Sequence, residues 1–258
     1  MPTEVDWRQP WFEPWRDPGE TLLARVAAGV PLHDALDASG SAPVRFVPQD
    51  TLPAGTAYEQ FVFSTRQCPV RPGLHDFFNG LVWHRFPQAK AALNRLQAQE
   101  IARNGIAARR GPVRDAITVF DENGALLQAP PALWEALRAR QWRRLFVELR
   151  PLWRQARLWV FGHALLEQLA APRKGLTAHV WCAQAALESG ASADAWLAAQ
   201  CTAQGLAGKP FTPLPVLGVP GWWPAKENFS FYDDSLVFRP RKTAEPTTTT
   251  TSRGPARS

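Results

Sequence analysis

Methionine is almost missing from this chain, one residue in 258. Its flexible thioether is the usual filler of irregular gaps, so the core has to be assembled from stiffer side chains. Cysteine is scarce as well. Cys68, Cys182 and Cys201 are odd in number and widely spaced, with no CxxC pair and no zinc-ribbon spacing, which argues for reduced thiols acting as small hydrophobes. No apolar run approaches the roughly 18 residues that span a bilayer. The opening stretch, MPTEVDWRQPWFEPWRDPGE, has acids and prolines where a signal peptide needs a basic start and an apolar run. These absences lead us to expect a soluble, cytoplasmic protein with no membrane partner. The loops GxGxxG, GxxxxGK[ST] and GxSxG and the helix motif HExxH are all missing, so nucleotide binding through those loops and a nucleophile-elbow hydrolase find no support. There is no internal repeat.

What is present is apolar bulk: the chain is 45% hydrophobic, with twelve Trp and fourteen Phe. Its length fits one large domain or two small ones, and it can bury a substantial core. The formal charge of +6 suggests an anionic partner until its location is considered. From Arg239 to Ser258 five cations stand against Glu245. The tail therefore holds +4 and the body an ordinary +2, which is weak support for a nucleic-acid footprint.

Residues 1–19 carry Trp7, Trp11 and Trp15 among prolines and are expected as an extended arm laying its rings on the body. Residues 20–240 are expected as one globular domain, and residues 241–258 as a disordered, basic, Thr-rich tail. Short helices are predicted over 20–28 and 31–38, with a strand near 44–47. A helix starts at Leu74, and Pro87 opens a second over 87–103 that ends at Asn104-Gly105. AITVFDENGALLQ (116–128) reads as a β-hairpin turning at Asn123-Gly124. Helices follow from Pro131 and over Leu152–Ala170. An αα-hairpin is expected over 177–188 and 193–203, with Ser192 as N-cap. From Gly205 the chain becomes an irregular Pro/Trp-rich wrap. The fold class is thus α+β, predominantly helical, with one small hairpin.

Three polar clusters stand out. His75 and Asn79 lie four apart on a helix beside Asp76, so they can converge on a water, an ion or a polar substrate. The plainer reading gives Asp76 to the helix dipole and His75 to a buried hydrogen bond. His163 and Glu167 have the same spacing, and His179 follows a Pro172/Gly175 turn that could return it. Two His and a carboxylate form a recurring catalytic metal arrangement, in which a bound water ionises near neutral pH. The plainer reading is a His–Glu hydrogen bond along one helix. Lys174 could neutralise an anionic substrate or offset a helix C-terminus. Asp121 and Glu122 read as turn chemistry and Asp115 as an ion-pair partner of the neighbouring basic run.

Finally, Arg and Trp interleave over 131–159. That pattern can stack on single-stranded nucleic acid, but it more often forms a solvated face.

Several separated blocks, LHDFFNGLVW-RFP--KAALN, RDA-T-FDENGALL, VFGHALLE---APRKGLTAH and FYDDSLVFRP, together resemble a bacterial family catalogued as domain of unknown function 3025. The resemblance runs roughly from Tyr58 to Pro240. It implies that His75, Asp76, Asn79, Asp115, Asp121, His163, Glu167, Lys174 and His179 fall in family motifs, and it implies no activity.

Two functions are expected from these readings. One is an enzyme, a metal-assisted hydrolase of a small polar or anionic substrate. Its ligands to a divalent metal such as zinc are His163, Glu167 and His179. His75, Asp76, Asn79 and Lys174 line the substrate side, and Asp76 or Glu167 serves as base. The other is a non-catalytic module that binds nucleic acid or protein through helices 131–159.

Overall fold

The computed structural model describes residues 5–105, 111–223 and 229–241. Its order is a 3-10 helix Pro10–Trp15, α1 (Arg16–Ala27), α2 (Leu32–Asp37), β1 (Arg45–Pro48), α3 (Tyr58–Thr65), β2 (Gln67–Val70), α4 (Leu74–Arg85), α5 (Pro87–Asn104), α6 (Pro112–Asn123), β3 (Gly124–Gln128), α7 (Pro131–Arg138), β4 (Arg157–Val160), α8 (His163–Ala170), β5 (Thr177–Ala183), α9 (Gly190–Gln200), α10 (Ala203–Ala207) and β6 (Phe211–Pro215). The class is α+β and mostly helical. β1 and β2 form a two-stranded parallel sheet, and the second sheet runs β4-β3-β5-β6. There β3 is parallel to β5, while β4 and β6 pair antiparallel at the edges.

The α4–α5 corner forms as the sequence predicts. Pro87 takes the first helical position of α5, where its missing N–H is no loss, and Gly105 closes the helix at φ 67°. The hairpin does not form. Asp121, Glu122 and Asn123 are the last residues of α6, and Gly124 begins β3 at φ −76°, ψ 151°, which is ordinary extended backbone. Gly124 is needed for closeness instead, because a Cβ there would sit 2.3 Å from the Phe120 carbonyl oxygen. Phe120, fully buried, stacks on Phe161 and Phe211 at 5.0 and 5.1 Å and meets Trp181 edge-on at 5.6 Å, so α6 is held helical by rings from three other segments.

Other expectations change similarly. The helix expected over Leu152–Ala170 is a 3-10 turn (Arg150–Gln155), then β4, then α8. The helix expected at 177–188 is β5, an inner strand whose residues are buried or half-buried, with no clear helical or alternating period. The N-cap of α9 is Ser189, which accepts from the Ser192 N–H in a capping box, and not Ser192. The segment expected as an extended arm is helical from Pro10 onward. Its rings do enter the body: Phe12 stacks on Phe78 at 5.7 Å, and Trp11 Nε1 donates to the Leu169 carbonyl of α8. The Pro/Trp-rich C-terminal stretch contains α10 and β6. Most of the tail expected as disordered, residues 242–258, lies outside the described residues.

Candidate metal centre

Three junctions between elements meet at one spot. β3 and β4 are antiparallel neighbours, so the start of β3 lies beside the end of β4, and the N–H groups of Phe161 and Gly162 both donate to the Gly124 carbonyl at 2.9 and 2.8 Å. The last turn of α6, with Asp121 and Glu122, therefore abuts the first turn of α8, which opens at His163. Gly162 permits this approach: a Cβ there would fall 2.4 Å from the Glu122 carbonyl oxygen and 2.6 Å from Asn123 backbone atoms. α4 packs on α8 and brings His75 from its own first turn.

The two imidazoles face one another. His75 Nε2 and His163 Nε2 are 3.1 Å apart, and Glu122 Oε2 lies 3.7 Å from His163 Nε2. Among the described residues, His75, Glu122 and His163 form the group whose ligand atoms all lie within 4.8 Å of one another. The outer nitrogens face carboxylates. His75 Nδ1 is 2.9 Å from Glu167 Oε2. A carboxylate only accepts, so Nδ1 carries the hydrogen and Nε2 the lone pair. His163 Nδ1 is buried 3.6 Å from Asp121 Oδ2, too far for a hydrogen bond, and has no partner. The carboxylate beside it favours an N–H there, which would leave a lone pair on Nε2; the 3.1 Å between the two Nε2 atoms equally fits one N–H donating to the other.

Burial drives the His163 pKa down to about 4, so the ring is neutral at physiological pH and its approach to Asp121 is not an ion pair. Asp121 is buried too, which pushes its carboxyl up. The Lys90 ammonium, 2.6 Å from Oδ1, together with His163 and His75, more than offsets this and holds the group below the usual carboxylate range. Burial, then the charge of Asp121, raises Glu122. Lys90 is itself buried, donates also to Asn79 Oδ1 at 2.9 Å and lies over the Trp83 ring. His75 and Glu167 are each more than a third exposed at the side chain, so solvent reaches the centre. The centre opens into a cavity of about 470 Å³.

The structure redistributes the expected site residues. His75, His163, Asn79, Asp121 and Glu167 come together. Glu167 is outside the group of mutually close ligand atoms and bonds His75 instead. Asp76 also lines the cavity and accepts from the Arg71 N–H at 2.6 Å and from its guanidinium. His179 is not in the group of ligands. It sits half-buried in β5, paired with Gly124 and Pro213, where burial and then the charge of Lys209 lower its pKa. Lys209 pairs with Asp115. Lys174 bonds Asp234 at 2.9 Å and covers Phe231, away from the cavity. Sequence reading missed Lys90 as a member and gave Glu122 to a turn. A signal existed for Lys90: with Asn94 and Gln97 it makes a polar stripe at helical spacing on the buried face of α5.

Residues 44–242 match the model of a family described as a protein of unknown function, DUF3025. The chain belongs to that family. The match covers every residue of the centre. No curated protein and no solved structure matches the chain. No helix among the described residues is long and apolar enough to cross a membrane. Over 131–159, Trp142, Trp153 and Trp159 are buried, with Trp142 Nε1 and Trp153 Nε1 donating to the carbonyls of Arg239 and Leu145. Several of the arginines there are exposed, but the rings that stacking needs are mostly taken up by the core.

Proposed function

We propose that this protein is a metal-dependent hydrolase whose divalent ion, such as zinc, is held by His75 Nε2, His163 Nε2 and the Glu122 carboxylate. One observation carries the reading. Two imidazole Nε2 atoms meet at 3.1 Å while carboxylates flank the outer nitrogens. With hydrogens on both outer nitrogens, the facing lone pairs repel unless a proton or a metal cation lies between them. Two nitrogens bound tetrahedrally at about 2.05 Å from zinc stand about 3.3 Å apart, close to what is seen. The carboxylates behind the rings are the outer partners that metal-binding histidines commonly have.

Two His and one carboxylate leave positions open for substrate, and an ion there supplies Lewis acidity and a water that ionises near neutral pH. The chain's own groups do the rest. Glu167 fixes the tautomer of His75. Lys90 keeps Asp121 charged behind His163. Arg71 engages Asp76 and His75 engages Glu167, so both expected bases already carry a partner. A cytoplasmic location forms part of this proposal, since Cys68, Cys182 and Cys201 are free thiols.

Elemental analysis of protein purified without chelator, then titrated with Zn²⁺, tests the centre. About one equivalent is expected in wild type and in His179→Ala, and loss in His75→Ala, His163→Ala and Glu122→Ala. A wild type that binds no divalent ion, or binding indifferent to these three changes, overturns it.

A further inference from the structure

The cavity at the centre is longer than the centre itself, and its far end holds buried polar atoms with nothing to bind. Two helices line it, running antiparallel to one another. On α5 the wall runs Lys90, Asn94, Gln97; on α6 it runs Asp121, Thr118, Arg114. Lys90 meets Asp121 at the imidazole end. Gln97 and Arg114 each lie seven residues further along, about 10 Å at the helical rise. Asn94 and Gln97 are 3% and 8% exposed, yet Asn94 Oδ1 and Gln97 Oε1 have no partner, nor does Arg114 Nε. The orientation of Asn94 is fixed, because its Nδ2 donates to the Glu59 carbonyl and carboxylate. Its free oxygen is therefore an acceptor. Between the two ends the wall also carries apolar side chains, Leu93 and Ile117.

Each unsatisfied group asks for a complement. Two acceptors, Asn94 Oδ1 and Gln97 Oε1, call for N–H donors, and the Glu59 carboxylate, which already accepts from Asn94 Nδ2, adds negative charge beside them. Arg114 Nε calls for an acceptor, with the Glu59 carboxylate within reach of its charge. A purely anionic tail would meet Glu59, and a purely cationic one would meet Arg114. A head bearing both charges satisfies the whole set.

We propose that the far end of the cavity binds the α-amino acid head of the substrate, ammonium on Asn94, Gln97 and Glu59 and carboxylate on Arg114, with an apolar spacer leading to an amide at the imidazoles. This rests on the hydrolase reading for the reaction and on the far-end atoms alone for recognition. In the reaction a water oxygen adds to the amide carbonyl carbon. The C–N bond breaks with its electron pair on nitrogen, and the departing amine takes the proton that water gives up.

Nε-acetyl-L-lysine has the right form. Six bonds separate its Cα from the amide carbon, and with the head group it extends about 10 Å. Titration calorimetry on full-length protein dialysed against EDTA, so that no turnover intervenes, provides the test. Nε-acetyl-L-lysine is expected to bind at least about tenfold tighter than either Nα,Nε-diacetyl-L-lysine, which lacks the ammonium, or Nε-acetyl-L-lysine amide, which lacks the carboxylate. Arg114→Gln should abolish the preference for acid over amide, whereas His179→Ala, outside the cavity lining, should leave all three affinities within about threefold. Equal binding of the three compounds by wild type, no binding up to about 10 mM, or an acid preference that survives Arg114→Gln overturns the proposal. Because the ion is absent from this experiment, failure of the metal centre and failure of the far-end site are separately visible.

Discussion

Single residues in the centre act in pairs, and Lys90 with Asp121 is the pair on which the others lean. Both are largely buried, 6% and 20% exposed at the side chain. Removing one partner leaves an uncompensated charge. Lys90→Met is expected to lower stability at pH 7 by about 3–5 kcal/mol. The pH dependence separates this from lost packing. In wild type the Asp121 pKa is depressed below 3.8, so its contribution is present above the unfolded value and is lost as pH falls through the folded one. Without Lys90, burial dominates and the folded pKa is raised. The penalty should then shrink as pH falls and the carboxyl takes up a proton. Chemical denaturation of both proteins between pH 4 and 8 checks this, and a penalty constant across that range would contradict it. Asp121 and Glu122 were legible in the sequence only as turn formers, because DENG followed by an apolar run carries the same local signal whether the chain turns or ends a helix. Nothing within four residues shows that Lys90, 31 positions away, will neutralise Asp121.

At the scale of elements, helix ends decide where the chemistry sits. α5 starts at the Pro87 corner with no cap of its own, and Asp194 of α9 supplies one from across the fold, accepting from the N–H groups of Gln88 and Ala89 at 3.1 and 2.8 Å. Asp194 is buried at 2% exposure. Asp194→Ala therefore leaves two buried donors unpaired and should cost about 2 kcal/mol. Asp194→Asn, which keeps an acceptor oxygen, should recover part of it. Urea denaturation of the three proteins measures the order, and equal stability of Ala and wild type would rule the cap out. The helix carrying Lys90, Asn94 and Gln97 is thus seated by a residue more than a hundred positions downstream. The sequence shows where α5 begins and ends, since Pro and Gly act locally. It does not show that β4 and β5 are strands. Their residues are apolar with no clear period, and only pairing with β3 tells a buried strand from a buried helix.

For the whole molecule, the segment before the family match belongs to the same core. Trp11 is 2% exposed and bonded to α8, and Phe12 lies flat on Phe78 of α4, the helices that supply His163 and His75. Trp11→Ala is expected to destabilise by about 3–5 kcal/mol. Through α8 it should also weaken Zn²⁺ binding, although Trp11 touches no ligand. Thermal melting with and without Zn²⁺ reads both effects; an unchanged melting temperature would place the N-terminal segment outside the cooperative unit.

The sequence by itself determined the class of fold and the α4–α5 corner, and it marked His75 and His163 among several candidates, because helical periodicity, proline and glycine act over a few residues and can be read there. It also marked four residues apart as the spacing at which His163 and Glu167 share a face. Only the tertiary structure decided what that face serves. Packing of α4 on α8 turns Glu167 toward His75, the antiparallel pairing of β3 with β4 delivers Glu122 in place of His179, and the α5 stripe gives the centre its lysine and its long cavity. Those are contacts between segments tens of residues apart, set by how strands pair and helices pack, and no local pattern encodes them.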